Sequence, residues 1–191
     1  DMGCHFMDLP FWALGLGHPL SAEAEGPEPD AHGAPPWLIA RWAFAARGER
    51  APVKVTWYHG DHKVPPQLAE GKLGDWKGPG VLFVGEKGLL VSNYGQHKLL
   101  PEESFKDVKA PEPVIAKSLG HHQEWVEAIR GGKPALCNFD YAGPLAETVL
   151  LGNVAYRTGK KLDWDAAGFK ARNCPEADRF LKKEYRKGWE F

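Results

Sequence analysis

Asp1 and His5 lie four residues apart in the segment DMGCHFMD, residues 1–8. On a helix, two residues at this spacing share a face, so a carboxylate would meet an imidazole. The carboxylate can orient the ring and make it a competent general base for a hydroxyl proton. The same spacing also suits a surface contact or a helix cap. The segment is therefore a candidate proton-transfer site, with His5 as the base and Asp1 as its partner.

A second candidate is the run WYHGDH, residues 57–62, in which aromatic side chains stand beside polar ones. Trp57 or Tyr58 can stack against a pyranose ring while polar neighbours bind its hydroxyl groups. Core packing is an equally good explanation for Trp57. We predict that both aromatic residues contact a substrate.

The histidines raise the question of a metal site. His59 and His62, together with His5 or His121, can be assembled into a ligand set, but a His-x-x-His pair in a loop without a fixed third ligand is usually exposed. His121 and His122 fall in the first turn of a predicted helix, where one faces a site and the other faces solvent. We predict substrate contacts from His121 and His122, and no bound metal.

Hydrolysis of a glycosidic bond is an alternative chemistry, and it needs two carboxyl groups about 5 to 9.5 Å apart. The available carboxylates are Asp1, Asp8, Asp61 and Glu124. Their spacing does not single out a pair, and a surface position explains most of them equally well.

The N-terminal elements must position these groups. Apolar residues at helical spacing predict a helix over residues 1–16, which either kinks at Pro10 or begins near Asp8 as its N-cap. Residues 21–36 contain almost nothing large and apolar, so we predict a surface loop that contributes nothing to the core.

Alternation with a period of two predicts strands over residues 37–47 and 53–58, which form an antiparallel pair. Residues 81–84 and 89–92 flank Gly-Glu-Lys-Gly and predict a hairpin, to which residues 97–100 add a short strand. We therefore expect a sheet of at least four strands.

Helical patterns follow over residues 118–131, 140–159 and 175–187, with a short edge strand over 161–164. The second of these helices is strongly apolar and is expected to be buried. The first is expected to place two apolar side chains in the core, Trp125 and Ile129.

The composition limits the partners, because 24 Lys and Arg balance 25 Asp and Glu among 191 residues. A chain with this balance has no general attraction to nucleic acid or to an anionic membrane surface. Its apolar stretches are also too short to span a bilayer. The three cysteines form no Cys-x-x-Cys pair, so neither a disulfide framework nor a zinc ribbon is predicted. Cys4 is expected to be a small buried residue rather than a nucleophile.

Four longer strings are more specific than the spacing of Asp1 and His5: DMGCHFMDLPFWAL from residue 1, SLGHHQEW from 118, NFDYAGPLAE from 138 and YRKGW from 185. Through them the whole chain resembles the C-terminal domain of the Gfo/Idh/MocA family of nicotinamide-dependent sugar and inositol oxidoreductases. The first string is similar to the family's Asp-x-x-x-His-x-x-Asp segment. The last three resemble a branch common in environmental bacteria.

The resemblance implies an α+β fold over residues 1–191, an open, mainly antiparallel β-sheet with helices packed on one face. It implies that His5 takes a proton from a substrate hydroxyl while hydride leaves the adjacent carbon for the nicotinamide, with Asp1 in support. Asp8 and Trp12 of the same segment are predicted to contact the sugar or polyol. Assembly of a homo-oligomer through the sheet face is also implied.

The cofactor is expected to need another domain. No Gly-x-Gly-x-x-Gly phosphate loop occurs in the sequence, so we expect this chain alone to bind no dinucleotide. NAD(P) would be held by the family's Rossmann domain, which we expect to precede this segment. Two alternatives stay open, a cofactor-independent glycoside hydrolase and a catalytically silent binding or oligomerisation domain.

Overall fold

The computed structural model describes residues 1–60 and 65–190. The chain divides into two compact units, residues 1–71 with 145–191 and residues 72–144, and each unit has its own antiparallel sheet. The predicted α+β class with antiparallel strands is thereby confirmed. The organisation of residues 1–191 as a single domain stays a prediction.

The described elements are numbered here in chain order. The strands are β1 (Ser21–Glu25), β2 (Leu38–Phe44), β3 (Val53–His59), β4 (Val81–Gly85), β5 (Gly88–Ser92), β6 (His97–Leu100), β7 (Leu162–Asp165) and β8 (Lys170–Ala171). The helices are α1 (Gly3–Leu14), α2 (Pro66–Ala69), α3 (Glu102–Phe105), α4 (His121–Ile129), α5 (Phe139–Thr158) and α6 (Asp178–Leu181). None of the helices in the described parts of the chain has the length and apolar character needed to cross a membrane.

The first unit contains a five-stranded sheet in the order β3-β2-β1-β7-β8. Its middle strand, β1, corrects the prediction that residues 21–36 form a surface loop without a part in the core. Ala22 is fully buried and pairs with Trp42 on one side and Leu162 on the other. The sequence SAEAE has little intrinsic preference for a strand, so pairing with both neighbours decides its conformation.

One face of this sheet is covered by helices, and we call it the covered face. On β2 it carries Leu38, Ala40, Trp42 and Phe44, all buried. The Phe11 ring of α1 meets the Phe44 ring edge-on with 6.3 Å between ring centres, so α1 packs on this face.

Helix α5 packs on the covered face as well, because Gly152 lies directly against Trp42 and Ala40. The opposite face, called the outer face, carries Lys54 and an ion pair between Arg41 and Glu25 with 2.6 Å between the charged atoms. The predicted arrangement of helices on one side of an antiparallel sheet is therefore observed in the first unit.

Helix α1 settles the alternatives left open around Pro10. The helix runs from Gly3 to Leu14 with Pro10 inside it, so it does not begin near Asp8. Gly15 ends it in the left-handed conformation (φ 58°), and the Leu16 N–H returns to the Phe11 carbonyl at 2.8 Å. This is the Schellman type of helix end, in which glycine avoids the strain that a side chain would meet.

The second unit contains the predicted hairpin, β4 and β5, followed by β6. These strands form a separate three-stranded sheet, which corrects the expectation that they extend the sheet of residues 37–58. The core of this unit is built around Leu73, Val91 and Leu100.

Two predictions about the later helices are wrong. In α4, Trp125 is 64% exposed and Ile129 is 68% exposed, so neither belongs to the core. An amphipathic pattern marks an apolar face, but burial requires another element to cover it. The helix predicted over 175–187 is reduced to a 3-10 turn at Pro175–Ala177 followed by α6, because Lys182 takes an extended conformation.

Candidate functional site

The exposed face of α1 carries three of the predicted site residues. His5, Asp8 and Trp12 are spaced three and four residues apart, so they lie along one side of the helix. All three are exposed, and Trp12 keeps 50% of its surface accessible. The opposite side is buried through residues such as Phe6, Met7 and Phe11. Because one side is anchored in the core, the polar side is held in a fixed orientation.

The two ends of this helix are held by other elements of the first unit. At the N-terminal end, Gly3 lies against the Val149 side chain of α5. At the C-terminal end, the Arg50 guanidinium reaches the Ala13 carbonyl at 3.5 Å, and the Arg47 side chain lies against Gly15. Cations at this end complement the partial negative charge of the helix carbonyls. Both ends of the helix that carries the site face are thus held by other residues of the first unit.

Asp1 lies just before α1, and Met2 is the N-cap residue. Among the described residues, no hydrogen bond or ion pair joins the side chains of Asp1 and His5. Sequence spacing alone brings the two residues to the same end of the helix. The carboxylate-to-imidazole contact predicted for this pair is not formed in the structure.

Trp57 and Tyr58 lie on opposite faces of the first unit's sheet. Trp57 pairs with Ala40 on the covered face and is half-buried, whereas Tyr58 pairs with Ile39 on the outer face. Of the two aromatic residues, only Trp57 is on the same side of the sheet as α1. A single substrate therefore cannot stack on both residues.

The proposed metal ligands are only partly described. His59 is exposed at the end of β3, whereas Asp61 and His62 lie outside the described residues. Within residues 1–60 and 65–190, no group of three His, Cys, Asp or Glu side chains is placed to hold a metal ion.

His121 and His122 belong to the second unit and begin α4. Their rings are 4.1 Å apart and tilted by 49°, and Trp125 follows one turn later with most of its surface exposed. Two imidazoles and an indole on the same helix form a surface that can bind hydroxyl groups and the apolar face of a sugar.

Glu124, a candidate for glycosidic bond cleavage, is engaged in a local network. It accepts hydrogen bonds from the Ser118 hydroxyl and, at 3.3 Å, from the Leu136 N–H. The Ser118 hydroxyl, followed by the Leu136 N–H, lowers the pKa of Glu124. A general acid needs the opposite shift, so Glu124 is better suited to holding the loops around α4. Asp1 and Asp8 lie seven positions apart in the sequence, Asp1 before α1 and Asp8 within it.

One constellation was not anticipated from the sequence. His18 is bonded to Glu147, 129 residues away in the sequence, and Glu147 also accepts a hydrogen bond from Trp164. His18 follows the glycines that end α1, and no carboxylate lies at helical spacing from it. The local sequence therefore contains no pattern that indicates a paired histidine. Only the packing of α5 against β7 and the loop after α1 brings these groups together.

The three cysteines differ in accessibility. Cys4 and Cys137 are exposed, which corrects the expectation that Cys4 is buried, whereas Cys174 is fully buried. Helical periodicity explains the error, because Cys4 falls outside the buried side formed by Phe6, Met7 and Phe11.

We expect two of the three thiols to react quickly with a disulfide reagent in the native protein and the third only after unfolding. Burial raises the pKa of the Cys174 thiol, and the Glu176 carboxylate raises it further, so little thiolate is available there. The measurement is the time course with which the coloured thiolate of an aromatic disulfide reagent is released, with and without denaturant. The Cys4→Ser variant is the control and should lose one fast equivalent. Three fast equivalents in the native protein would contradict the assignment.

The sequence matches no family model, and no curated protein matches it. Similarity to the oxidoreductase family consequently stays a hypothesis that depends on the four sequence strings quoted above.

Proposed function

We propose that this chain is the substrate-binding part of a NAD(P)-dependent sugar or polyol oxidoreductase, and that the exposed face of α1 is its substrate surface. One observation carries the proposal. His5, Asp8 and Trp12 lie along the exposed side of a helix whose other side is buried.

These side chains suit a polyhydroxylated ligand. A carboxylate and an imidazole bind hydroxyl groups through hydrogen bonds, and an exposed indole packs against the C–H face of a sugar ring. Imidazole is also the side chain whose proton affinity best matches neutral pH, so His5 is the natural proton acceptor of the three.

In the proposed reaction, His5 takes the proton of a substrate hydroxyl. The carbon that bears this hydroxyl loses a hydride, two electrons with a proton, and becomes a carbonyl carbon. NAD(P), held by a separate Rossmann domain, would supply the hydride acceptor. The residues of this chain contribute no phosphate-binding glycine loop, so their part is to bind the substrate and to accept the proton. Asp1 is proposed to support the His5 ring once substrate is bound, because such contacts often tighten only in the complex.

Sugar binding by the 191-residue protein tests this proposal. We expect saturation-transfer NMR to detect at least one member of a panel of monosaccharides and polyols. His5→Ala and Trp12→Ala should each weaken that binding about fivefold or more, because each removes a direct contact. Trp189→Ala is the matched control, since Trp189 is also an exposed indole but lies outside the α1 face. Binding that is unchanged in both α1 variants would rule out this surface.

The hydrolase alternative is separated by a second assay. Release of chromophore from chromogenic glycosides without nicotinamide, lost in Asp1→Asn or Asp8→Asn, would favour a glycoside hydrolase over the oxidoreductase.

Self-association through the outer face is part of the proposal as well. The Arg41 and Glu25 side chains on that face would make such an interface polar.

A further inference from the structure

His18 lies in the loop between α1 and β1, and its ring is held by a carboxylate. The His18 Nδ1 atom is 2.8 Å from Oε1 of Glu147 on α5. The His18 side chain is 47% exposed, whereas that of Glu147 is only 17% exposed. The imidazole is therefore accessible, and the carboxylate that binds it is largely enclosed.

The carboxylate is itself anchored. The Trp164 indole donates its Nε1 hydrogen to the same Glu147 oxygen at 2.7 Å, and Trp164 is 4% exposed. A buried indole on β7 cannot swing away from its partner without disturbing the core, so it fixes the position of Oε1. Trp164 therefore orients the Glu147 carboxylate, and Glu147 in turn orients the accessible imidazole of His18.

This arrangement determines which ring nitrogen is basic. A carboxylate oxygen can only accept hydrogen bonds, so Nδ1 of His18 must be the donor. In the neutral ring the other nitrogen, Nε2, then carries the lone pair. The carboxylate also stabilises the positive charge that forms when Nε2 takes a proton.

His5 provides the contrast. Its side chain makes no hydrogen bond to any described residue. The pairing of a carboxylate with an imidazole, which the sequence suggested for Asp1 and His5, is thus found at Glu147 and His18.

The neighbourhood of Trp164 shows a second unusual feature. Phe169 has a positive φ of 47°, a conformation that is strained for any residue with a side chain. Its exposed ring meets the Trp164 ring edge-on with 5.5 Å between ring centres. Strain of this kind occurs preferentially near functional sites. Here the strained residue places an exposed aromatic ring beside Trp164, which fixes the Glu147 carboxylate.

We propose that His18 is a second proton-accepting site of this protein, with Nε2 as a general base that acts on water or on a ligand hydroxyl. Hydrolysis of an activated acyl ester by water is the reaction in which we test this base, because the attacking water must lose a proton. The oxygen of the water molecule bonds to the carbonyl carbon of the ester while Nε2 of His18 takes one proton of that water. The carbonyl π electrons move onto the carbonyl oxygen as the water adds. They re-form the double bond as the bond to the alkoxide breaks, and His18 gives its proton to the alkoxide, which leaves as the alcohol. The step needs no cofactor and does not involve His5.

Hydrolysis of p-nitrophenyl acetate by the 191-residue protein tests the proposal. We expect His18→Asn to reduce the protein-dependent rate about tenfold or more. Glu147→Gln should reduce it several-fold, because the amide can keep the hydrogen bonds but loses the charge. His32→Asn should leave the rate unchanged, since His32 is an exposed histidine whose side chain bonds to no described residue. Long-range proton–nitrogen NMR of the imidazole should show the hydrogen on Nδ1 of His18.

Two results would overturn the proposal. One is a hydrolysis rate in folded His18→Asn equal to that of the parent protein, with or without a lower melting temperature, which would leave His18 a purely structural contact. The other is an NMR spectrum of the parent protein in which the neutral His18 ring carries its hydrogen on Nε2 instead of Nδ1. If His18→Asn does not fold, Glu147→Gln and the NMR measurement decide the question on their own.

Discussion

Phe11→Ala is expected to lower the free energy of unfolding by about 3–5 kcal/mol, the usual range for deleting a large aromatic side chain from a core. Phe11 is 2% exposed and is among the largest side chains that are fully enclosed in the described structure. Its ring meets Phe44 edge-on, so the substitution removes both apolar burial and an aromatic pair. It also weakens the contact that holds α1 on the covered face.

The measurement is urea-induced unfolding followed by circular dichroism. Trp12→Ala is the matched control, because it deletes an even larger side chain at the next position of the same helix. Since half of the Trp12 surface is already exposed, we expect this change to cost about 1 kcal/mol or less. Equal losses in the two variants would show that α1 does not pack on the sheet through Phe11.

The comparison also bears on the proposed function. If the α1 face binds sugar, Trp12→Ala should weaken binding while leaving stability nearly unchanged. Phe11→Ala should do the reverse as long as the protein stays folded. Separate effects of two adjacent residues would distinguish a binding surface from a region that is only needed for folding.

Gly152→Val should be the second large effect, a loss of about 3 kcal/mol in the free energy of unfolding. A Cβ atom at this position would lie 2.7 Å from Trp42 Cζ2 and 3.2 Å from the Ala40 Cβ. The indole is buried and cannot move aside, so α5 would have to shift away from β2. Such a shift also reaches Glu147 one turn and a half earlier on the same helix.

Gly143→Ala is the control for this prediction. Gly143 lies in the same helix, but apart from its chain neighbours and the helix backbone no described atom lies within 4 Å of the position its Cβ would occupy. Alanine favours helix over glycine, but its Cβ meets the ring of Pro144, which disfavours a helical conformation in the residue before it. The two effects oppose each other, so this change should alter stability by less than about 1 kcal/mol. A large loss in Gly152→Val beside a small change in Gly143→Ala, both measured by urea titration, would confirm that α5 contacts the sheet at Gly152. A stabilising effect of Gly152→Val would contradict the packing.

The sequence by itself determined the elements that have a strong local pattern. Alternating residues predicted β2 and β3, and Gly85 to Gly88 predicted the hairpin of the second unit. The apolar run before Gly159 predicted α5. Apolar residues at helical spacing also predicted a helix in the N-terminal segment, where α1 is found. Each of these predictions needs only neighbours along the chain, because helical and extended conformations repeat over a few residues.

Tertiary structure decided what lies beside each element. The strand β1 has no apolar pattern of its own and exists because β2 and β7 pair with both of its edges. Trp125 has the spacing of a core residue but is exposed, because no pattern within a helix specifies what covers it. The same reason applies to the candidate sites. Asp1 and His5 are close in sequence yet unbonded, whereas His18 and Glu147 are joined by a hydrogen bond across 129 residues. Contacts of that kind form only when distant parts of the chain fold together, so they cannot be predicted from the spacing of residues along the sequence.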